Sequence, residues 1–203
     1  MNTASPETPK NIRRCAAKEF AEKGFRGASL RNIVKQAGVT TGAFYGYYNS
    51  KEELFEALVG EHAQRLTDIF VSGQKKLLEA IRSGSSEDFM RINLDRLTAM
   101  IELACEKAEL TKLILLSAEG TKYESFIHHM AEAETQATCR LRAEMRSDGA
   151  KQLDPYFEHI ILSGMISSLF EPVIHNATRE RCVKLAEQLS EFYSTGLSAL
   201  MFS

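Results

Sequence analysis

Ser29 to Lys51, SLRNIVKQAGVTTGAFYGYYNSK, constrains the fold of this 203-residue chain more than any other segment. Ser29 is placed to cap a helix that buries Ile33, Val34 and Ala37. Gly38 supplies the left-handed backbone that ends it, and Val39 packs beneath the turn. Thr40 then caps a second helix of only about two turns. Ser50 with Glu53 makes a capping box for a third, whose stripe includes Leu54, Leu58, His62, Leu66, Ile69 and Phe70. Helices this short have to share one small core. Phe44 and Tyr48, four residues apart, are expected to face it with Phe20, Ile33 and Leu54.

The remaining sequence keeps the helical pattern. Thr8 is placed to cap a helix with Pro9 at its first position, and Ile12, Cys15, Ala16 and Phe20 form its apolar stripe until Gly24 stops it. The Ser50-capped helix is expected to reach Gly73 or beyond. Further helices are predicted over about 86–106, 108–117, 123–146, 154–175 and 178–200, with Ser83 to Ser86 as a linker and Ser147 to Gly149 as a turn. Pro172 is expected to kink or end its helix. With no strand-like alternation and no internal repeat, the chain reads as all-α. It divides into a helix-turn-helix domain over 1–54 and a helical bundle over 55–203.

Composition narrows the setting. No apolar run approaches membrane-spanning length, and MNTASPETPK lacks the apolar core of a signal peptide, so a soluble cytoplasmic chain with no membrane partner is expected. Cys15, Cys105, Cys139 and Cys182 are too scattered for a disulfide framework or a zinc knuckle and are expected as reduced, mostly buried thiols. Charge is split unevenly. Residues 1–51 carry nine Lys or Arg against three acids, whereas the rest carries 16 against 24. A basic head on an acidic body favours a polyanion partner for the head alone.

A short helix behind a glycine turn, on the basic end of the chain, suits the major groove of double-stranded DNA. Gly42 and Ala43 allow its backbone close to base edges, and Thr41 can bond a base or a phosphate or place its methyl on that of thymine. The phenols of Tyr45 and Tyr47 and the ammonium of Lys51 suit phosphates, which set register more than sequence preference. Arg31, early in the preceding helix, is the candidate for bidentate recognition of guanine.

These residues resemble the TetR family of bacterial transcriptional regulators over about Asn11 to Leu58. The family pattern F-x-x-x-G-F appears at Phe20 to Phe25, T/S-x-x-x-I at Ser29 to Ile33, and G-V-S/T-x-G-x-x-Y-x-H/Y-F-x-S/N-K-E-x-L at Gly38 to Leu54. Ser29 stands where threonine is commoner, and Tyr48 where phenylalanine is. The resemblance implies phosphate contacts from Ser29, Thr40, Tyr45, Tyr47 and Lys51, with Arg31, Thr41 and Gly42 nearest the bases. It also implies a nine-helix homodimer on a palindromic operator, most often a repressor. A small-molecule effector in the C-terminal body would tilt the start of the Ser50-capped helix and so change the separation of the two heads.

Beyond about Leu58 the resemblance is architectural. Ile160, Ile161, Met165, Leu169 and Phe170 with small Ser163, Gly164, Ser167 and Ser168, and the later stripe of Leu185, Leu189, Phe192 and Leu197, suit a helical dimer interface. Ile161, Gly164, Ser168, Leu189, Phe192 and Leu197 are the contacts expected there. An effector pocket is expected among the middle helices, with Met100, Leu103, Phe126, Met130, Phe157 and Met165 as apolar walls and Cys105, His129 and Cys139 as polar or thiol contacts. Glu124, His128 and Glu132 share one helix face, which reads as a solvated ion-pair face before it reads as a metal site, and no metal or cofactor is expected. His62, on an apolar stripe, reads as a satisfied core histidine. The sequence carries no phosphate-binding glycine loop, G-x-S-x-G elbow or H-E-x-x-H helix, so catalysis is not expected. The alternative to a regulator is a helical small-molecule-binding or protein-interaction module that does not read DNA.

Overall fold

The computed structural model describes residues 7–82, 86–144 and 153–202. Among them the regular structure is nine helices and no strand. These are α1 Glu7–Gly27, α2 Leu30–Gln36, α3 Thr41–Tyr45, α4 Lys51–Arg82, α5 Ser86–Glu106, α6 Ala108–Leu116, α7 Phe126–Glu144, α8 Pro155–Ile174 and α9 Arg179–Phe202. The all-α reading holds, and the expected linker and turn at 83–85 and 147–149 lie outside the described residues. The chain forms two compact units, Met1–Gln64 with Glu109–Phe126, and Arg65–Ala108 with Ile127–Ser203. The expected boundary at Leu54 therefore falls inside the first unit, which also takes in α6 and the turns after it.

In the first unit, α1 buries Ile12, Cys15, Ala16 and Phe20 as the spacing predicts. Gly24 does not end the helix outright. Its φ of 67° and ψ of 166° break the ladder for one residue, which swings Phe25 into the core before a last turn closes at Gly27. Phe25 meets Phe20 and Phe55 there, with ring centroids 5.8 and 5.4 Å away. Its backbone N–H donates to the carbonyl of Ser117 at 2.7 Å, beyond the end of α6, while Leu113, Ile114 and Ala118 join the same core. Two further ties bind α4 to this segment. Tyr123 donates its phenol hydrogen to Glu56 at 2.6 Å, and buried His62 lies 2.8 Å from the Thr111 hydroxyl. His62 is thus a buried core histidine as its position suggested, with Nε2 against a hydroxyl while Nδ1 makes no hydrogen bond among the described residues.

In the second unit α9 packs along α5 and α8. Asp154 caps α8 through its carboxylate, which accepts from the N–H groups of Tyr156 and Phe157, and Pro155 opens the helix. Pro172 sits within the last turn, where α8 continues to Ile174, so it marks the approach of the end and does not break the helix. α7 begins at Phe126 and not at Tyr123, because Thr121 to Ser125 form turns. The expectation that no apolar run approaches membrane-spanning length is corrected: by length and composition alone α8 is long and apolar enough to cross a membrane, with a mean hydropathy of 1.3 over 18 of its 20 residues. The scattered polar groups Glu158, His159 and Glu171 mask that run in the sequence. Only 39% of the segment is buried within the chain.

The second unit also buries a charge pair that no local pattern announces. The Arg96 guanidinium donates from Nη1 and Nη2 to the two carboxylate oxygens of Glu134, each at 2.8 Å, and from Nη2 to Asn93 at 2.9 Å. Gln74 donates to Glu134 at 3.0 Å. Gly73 makes this possible, since a Cβ there would run into the Arg96 stem at Cδ and Cγ. Burial alone would raise the Glu134 carboxyl, yet the Arg96 charge and hydrogen bonds hold it below its ordinary value. Glu134→Ala is therefore expected to cost about 3–5 kcal/mol by stranding a buried cation, whereas Glu134→Leu combined with Arg96→Met recovers most of the loss. Chemical denaturation of the three proteins checks this.

Candidate nucleic-acid interface

The sequence order α2, turn, α3 becomes a compact reading element because each end is capped by a specific group. Ser29 and Thr40, both extended, occupy the N-cap positions of α2 and α3 and accept from Asn32 at 3.4 Å and Ala43 at 3.1 Å. Between the helices Gly38 has a φ of 68°, as expected of the left-handed turn, and the Val39 N–H returns to Val34 at 3.0 Å. Asn11 on α1 donates to the carbonyl of Ala37 at 2.7 Å, tying the turn to the first helix.

Burial sorts the residues of α3. Phe44 is fully buried and Tyr48 nearly so, with ring centroids 5.7 Å apart, in the core that also holds Phe20, Ile33 and Leu54. Thr41, Gly42 and Ala43 are exposed, and Tyr45 is 53% exposed. Arg31 on α2 is also exposed, Tyr47 is half-buried, and Thr40 keeps an exposed side chain despite its capping role. A Cβ added at Gly42 would meet nothing nearer than the Thr40 hydroxyl at 4.0 Å, so glycine is not required there by the fold itself. A cleft of ≈ 380 Å³ adjoins this surface, lined by Lys10, Asn11 and Arg14 of α1 and by Ala37 to Val39 of the turn. Glu7 lines the same cleft and pairs with Lys10 at 3.2 Å, while Arg14 adds a further cation there.

Lys51 has a different position from the one expected of a phosphate ligand. Its ammonium donates to the carbonyls of Phe25 at 2.7 Å and Ala28 at 3.1 Å, with Arg26 at 3.5 Å, and sits 4.5 Å over the Phe25 ring. It closes the C-terminal end of α1. Glu19 is a second internal organiser, absent from the residues expected to form the site. Its buried carboxylate accepts from Lys23 at 2.8 Å and from the Ser29 N–H at 3.1 Å, and these two bonds, in that order, hold it below its usual value. The signal available in the sequence was a glutamate on the apolar face of α1, between Ala16 and Phe20. Glu53 likewise reaches one residue further back than a reciprocal box with Ser50 requires, accepting from Asn49 at 2.7 Å.

The residues expected around an effector do not converge on one described site. Met100, Leu103, Met130 and Met165 are buried in the second unit, but Phe126 packs against the core of the first, and Phe157 and His129 are exposed. Cys139 lies 3.5 Å from Glu158, and Cys105 is half-buried at the end of α5. Of the proposed dimer contacts, Ile161, Gly164, Ser168 and Leu189 are half-buried and Phe192 is 71% exposed, while the Leu197 side chain lies outside those described. Glu124 falls in the turns before α7 and accepts from the Gly120 N–H at 2.7 Å, so the expected three-residue face is reduced to an exposed His128–Glu132 pair at 3.3 Å.

Residues 12–58 match the sequence profile of bacterial regulatory proteins, tetR family. The HTH-type transcriptional repressor AcnR of Corynebacterium glutamicum is 27% identical over 83% of this chain and 87% of its own length. Among solved structures, NalD, the secondary repressor of the MexAB-OprM multidrug efflux pump in Pseudomonas aeruginosa, shares the fold with a TM-score of 0.61. Its identity is 21% over 94% of this chain and 95% of its own. FadR from Bacillus subtilis, solved with stearoyl-CoA, shares it with a TM-score of 0.53 and 18% identity, over 92% of this chain and 98% of its own.

Two outcomes follow from the internal bonds of the head. Lys51→Met is expected to lower stability by about 2 kcal/mol, since it leaves carbonyls at the end of α1 without their charged donor. For Glu19 the depressed carboxyl means stability present above the ordinary value of 4.5 and lost as pH falls through the lower folded value. Glu19→Gln should therefore lower the melting temperature at pH 7 and flatten the wild-type decline in the acid range, as thermal melts against pH would show.

Proposed function

Because this chain belongs to the TetR family of bacterial transcriptional regulators, we propose that it is an effector-responsive repressor. In this reading it binds a palindromic operator as a homodimer and releases it when a small molecule occupies the second unit. The observation that carries the reading is the partition of α3, whose Phe44 is buried while Thr41, Gly42, Ala43 and Tyr45 face outward. Arg31, Thr41 and Gly42 then lie nearest the bases, and Ser29, Thr40, Tyr45 and Tyr47 hold phosphates with support from Lys10 and Arg14. Lys51 acts by fixing the end of α1 under this surface.

The homodimer is supported by α8 and α9. Tyr156 and Ile160, one turn apart on α8, are 73% and 50% exposed, and Phe192 on α9 is 71% exposed, so both helices carry large apolar side chains in the open. Two-fold pairing through these helices would present two heads to two half-sites. Small-molecule release is supported by the family. The buried methionines of the second unit are the remaining candidates for an effector's surroundings, and the fold neighbour solved with stearoyl-CoA shows that this architecture admits an organic ligand. α4, whose residues belong to both units, is the covalent route between them. As a bacterial DNA-binding regulator the chain would work in the cytoplasm.

Selection of bound sequences from a random oligonucleotide pool tests the central claim: an inverted repeat is expected, and recovery of no preferred sequence would refute it. Affinity for the selected site should fall steeply with salt through counterion release. Gly42→Ala separates reading from folding. It should leave thermal stability unchanged or slightly raised, since the space is open and alanine is the better helix former, yet weaken operator binding at least tenfold. Arg31→Ala should flatten base preference at one position in each half-site. Phe192→Glu should shift the protein from dimer to monomer in analytical ultracentrifugation, and an unchanged dimer would place the interface elsewhere.

A further inference from the structure

The antiparallel pairing of α5 with α9 brings two thiols together. Asn93 donates to the Ser194 hydroxyl at 3.3 Å, which fixes the register of the two helices. Stepping four residues forward on α5 and four back on α9 pairs Leu97 with Ser190, Ile101 with Ala186 and Cys105 with Cys182. All the α9 members of this row are small and buried, so the helices approach closely along it. At the end of the row this register sets Cys105 of α5 against Cys182 of α9, whose thiol donates to the Ala177 carbonyl at 3.7 Å. One turn back on each helix, Arg179 and Glu102 form an ion pair at 2.6 Å that pins the same end. Cys182 is fully buried, whereas Cys105 is half-exposed, so one sulfur is reachable from solvent and the other waits behind it.

We infer that Cys105 and Cys182 form a dithiol modification site, which two-electron oxidants of the peroxide class convert to an intrachain disulfide joining the end of α5 to the start of α9. In the first step the Cys105 thiolate attacks a peroxide oxygen. The O–O bond breaks, Cys105 becomes a sulfenic acid, and the leaving hydroxide takes up a proton as water. Cys182 sulfur then attacks Cys105 sulfur. The S–S bond forms, the S–O bond breaks, and the departing hydroxide leaves as water with the Cys182 proton. Two thiols thus lose two electrons and two protons, and one peroxide becomes two waters. Burial first, and then the neighbouring Cys182 thiol, push the Cys105 thiol up to about 12, so little thiolate is present at neutral pH. The thiolate that does form is the more nucleophilic for its high basicity, with the Arg179 guanidinium nearby to favour it. The pair is consequently set for strong or prolonged oxidant exposure and not for trace peroxide.

The test uses the full-length reduced protein exposed to millimolar hydrogen peroxide while folded, then denatured in N-ethylmaleimide and mapped by mass spectrometry. The expected result is loss of two of the four alkylatable thiols, with one dithiothreitol-reversible peptide pair linking Cys105 to Cys182 in a single chain. A Cys15→Ser, Cys139→Ser double variant should form the same link, and Cys105→Ser or Cys182→Ser should lose it. Recovery of Cys105 and Cys182 as separate alkylated or over-oxidised residues, or a link through Cys15, Cys139 or a second chain, would overturn the assignment. The mapping involves no DNA, so its failure leaves the repressor reading untouched.

Discussion

Three backbone carbonyls at the end of α1, those of Phe25, Arg26 and Ala28, turn towards the one ammonium of Lys51, and the geometry of the first unit depends on that convergence. A helix end leaves carbonyls without partners, and here they belong to a chain that must turn at once into α2. The lysine satisfies them from the first residue of α4, so the end of α1, the entry to α2 and the start of α4 meet at a point. Glu19 does the complementary work from the opposite sign, accepting the Ser29 N–H that opens α2. An exposed surface of four residues on α3 can be presented with a fixed orientation because these internal charges leave its support little freedom.

The two units use buried charge differently. In the head, Lys51 and Glu19 both meet backbone, so their effect is to set where helices begin and end. In the second unit Arg96 and Glu134 meet each other, and the gap at Gly73 admits the arginine stem beside α4. A pair of this kind adds little net stability compared with apolar packing, but it penalises any arrangement of α4, α5 and α7 that separates it. It therefore specifies the packing of these three helices more than it strengthens it.

What was legible in the sequence was local. Caps at Ser29, Thr40, Ser50 and Asp154, and the left-handed glycine at Gly38, lie next to the backbone they serve, so residue type and spacing were enough to place α2, α3 and the starts of α4 and α8. The burial of Phe44 and Tyr48 followed from their spacing. Harder to read were features made by residues distant in sequence. Nothing near Phe25 announces that its N–H will find Ser117, and nothing near Cys182 announces Cys105. The residues expected around an effector are spread for a related reason. Phe126 and Met130 occur on one helical pattern, but Phe126 packs in the first unit and Met130 is buried in the second. Lys51 was recognised as important from its motif, yet its inward direction depends on where α1 ends, which Gly24 shifts by a break that the sequence suggested was a full stop.

The bond between Phe25 and Ser117 also bears on how this protein is made. A ribosome releases the chain from its N-terminus, and the residues of α1 to α3 emerge well before α6. Leu113, Ile114 and Ala118 are part of the same core as Phe20 and Phe55, so the head cannot complete its interior when its own helices are first available. Closure waits for a segment separated from them by the whole of α5. Until then the aromatic cluster has an uncovered side, and the interval between the two segments is the period in which a nascent chain of this protein is most in need of protection from its neighbours.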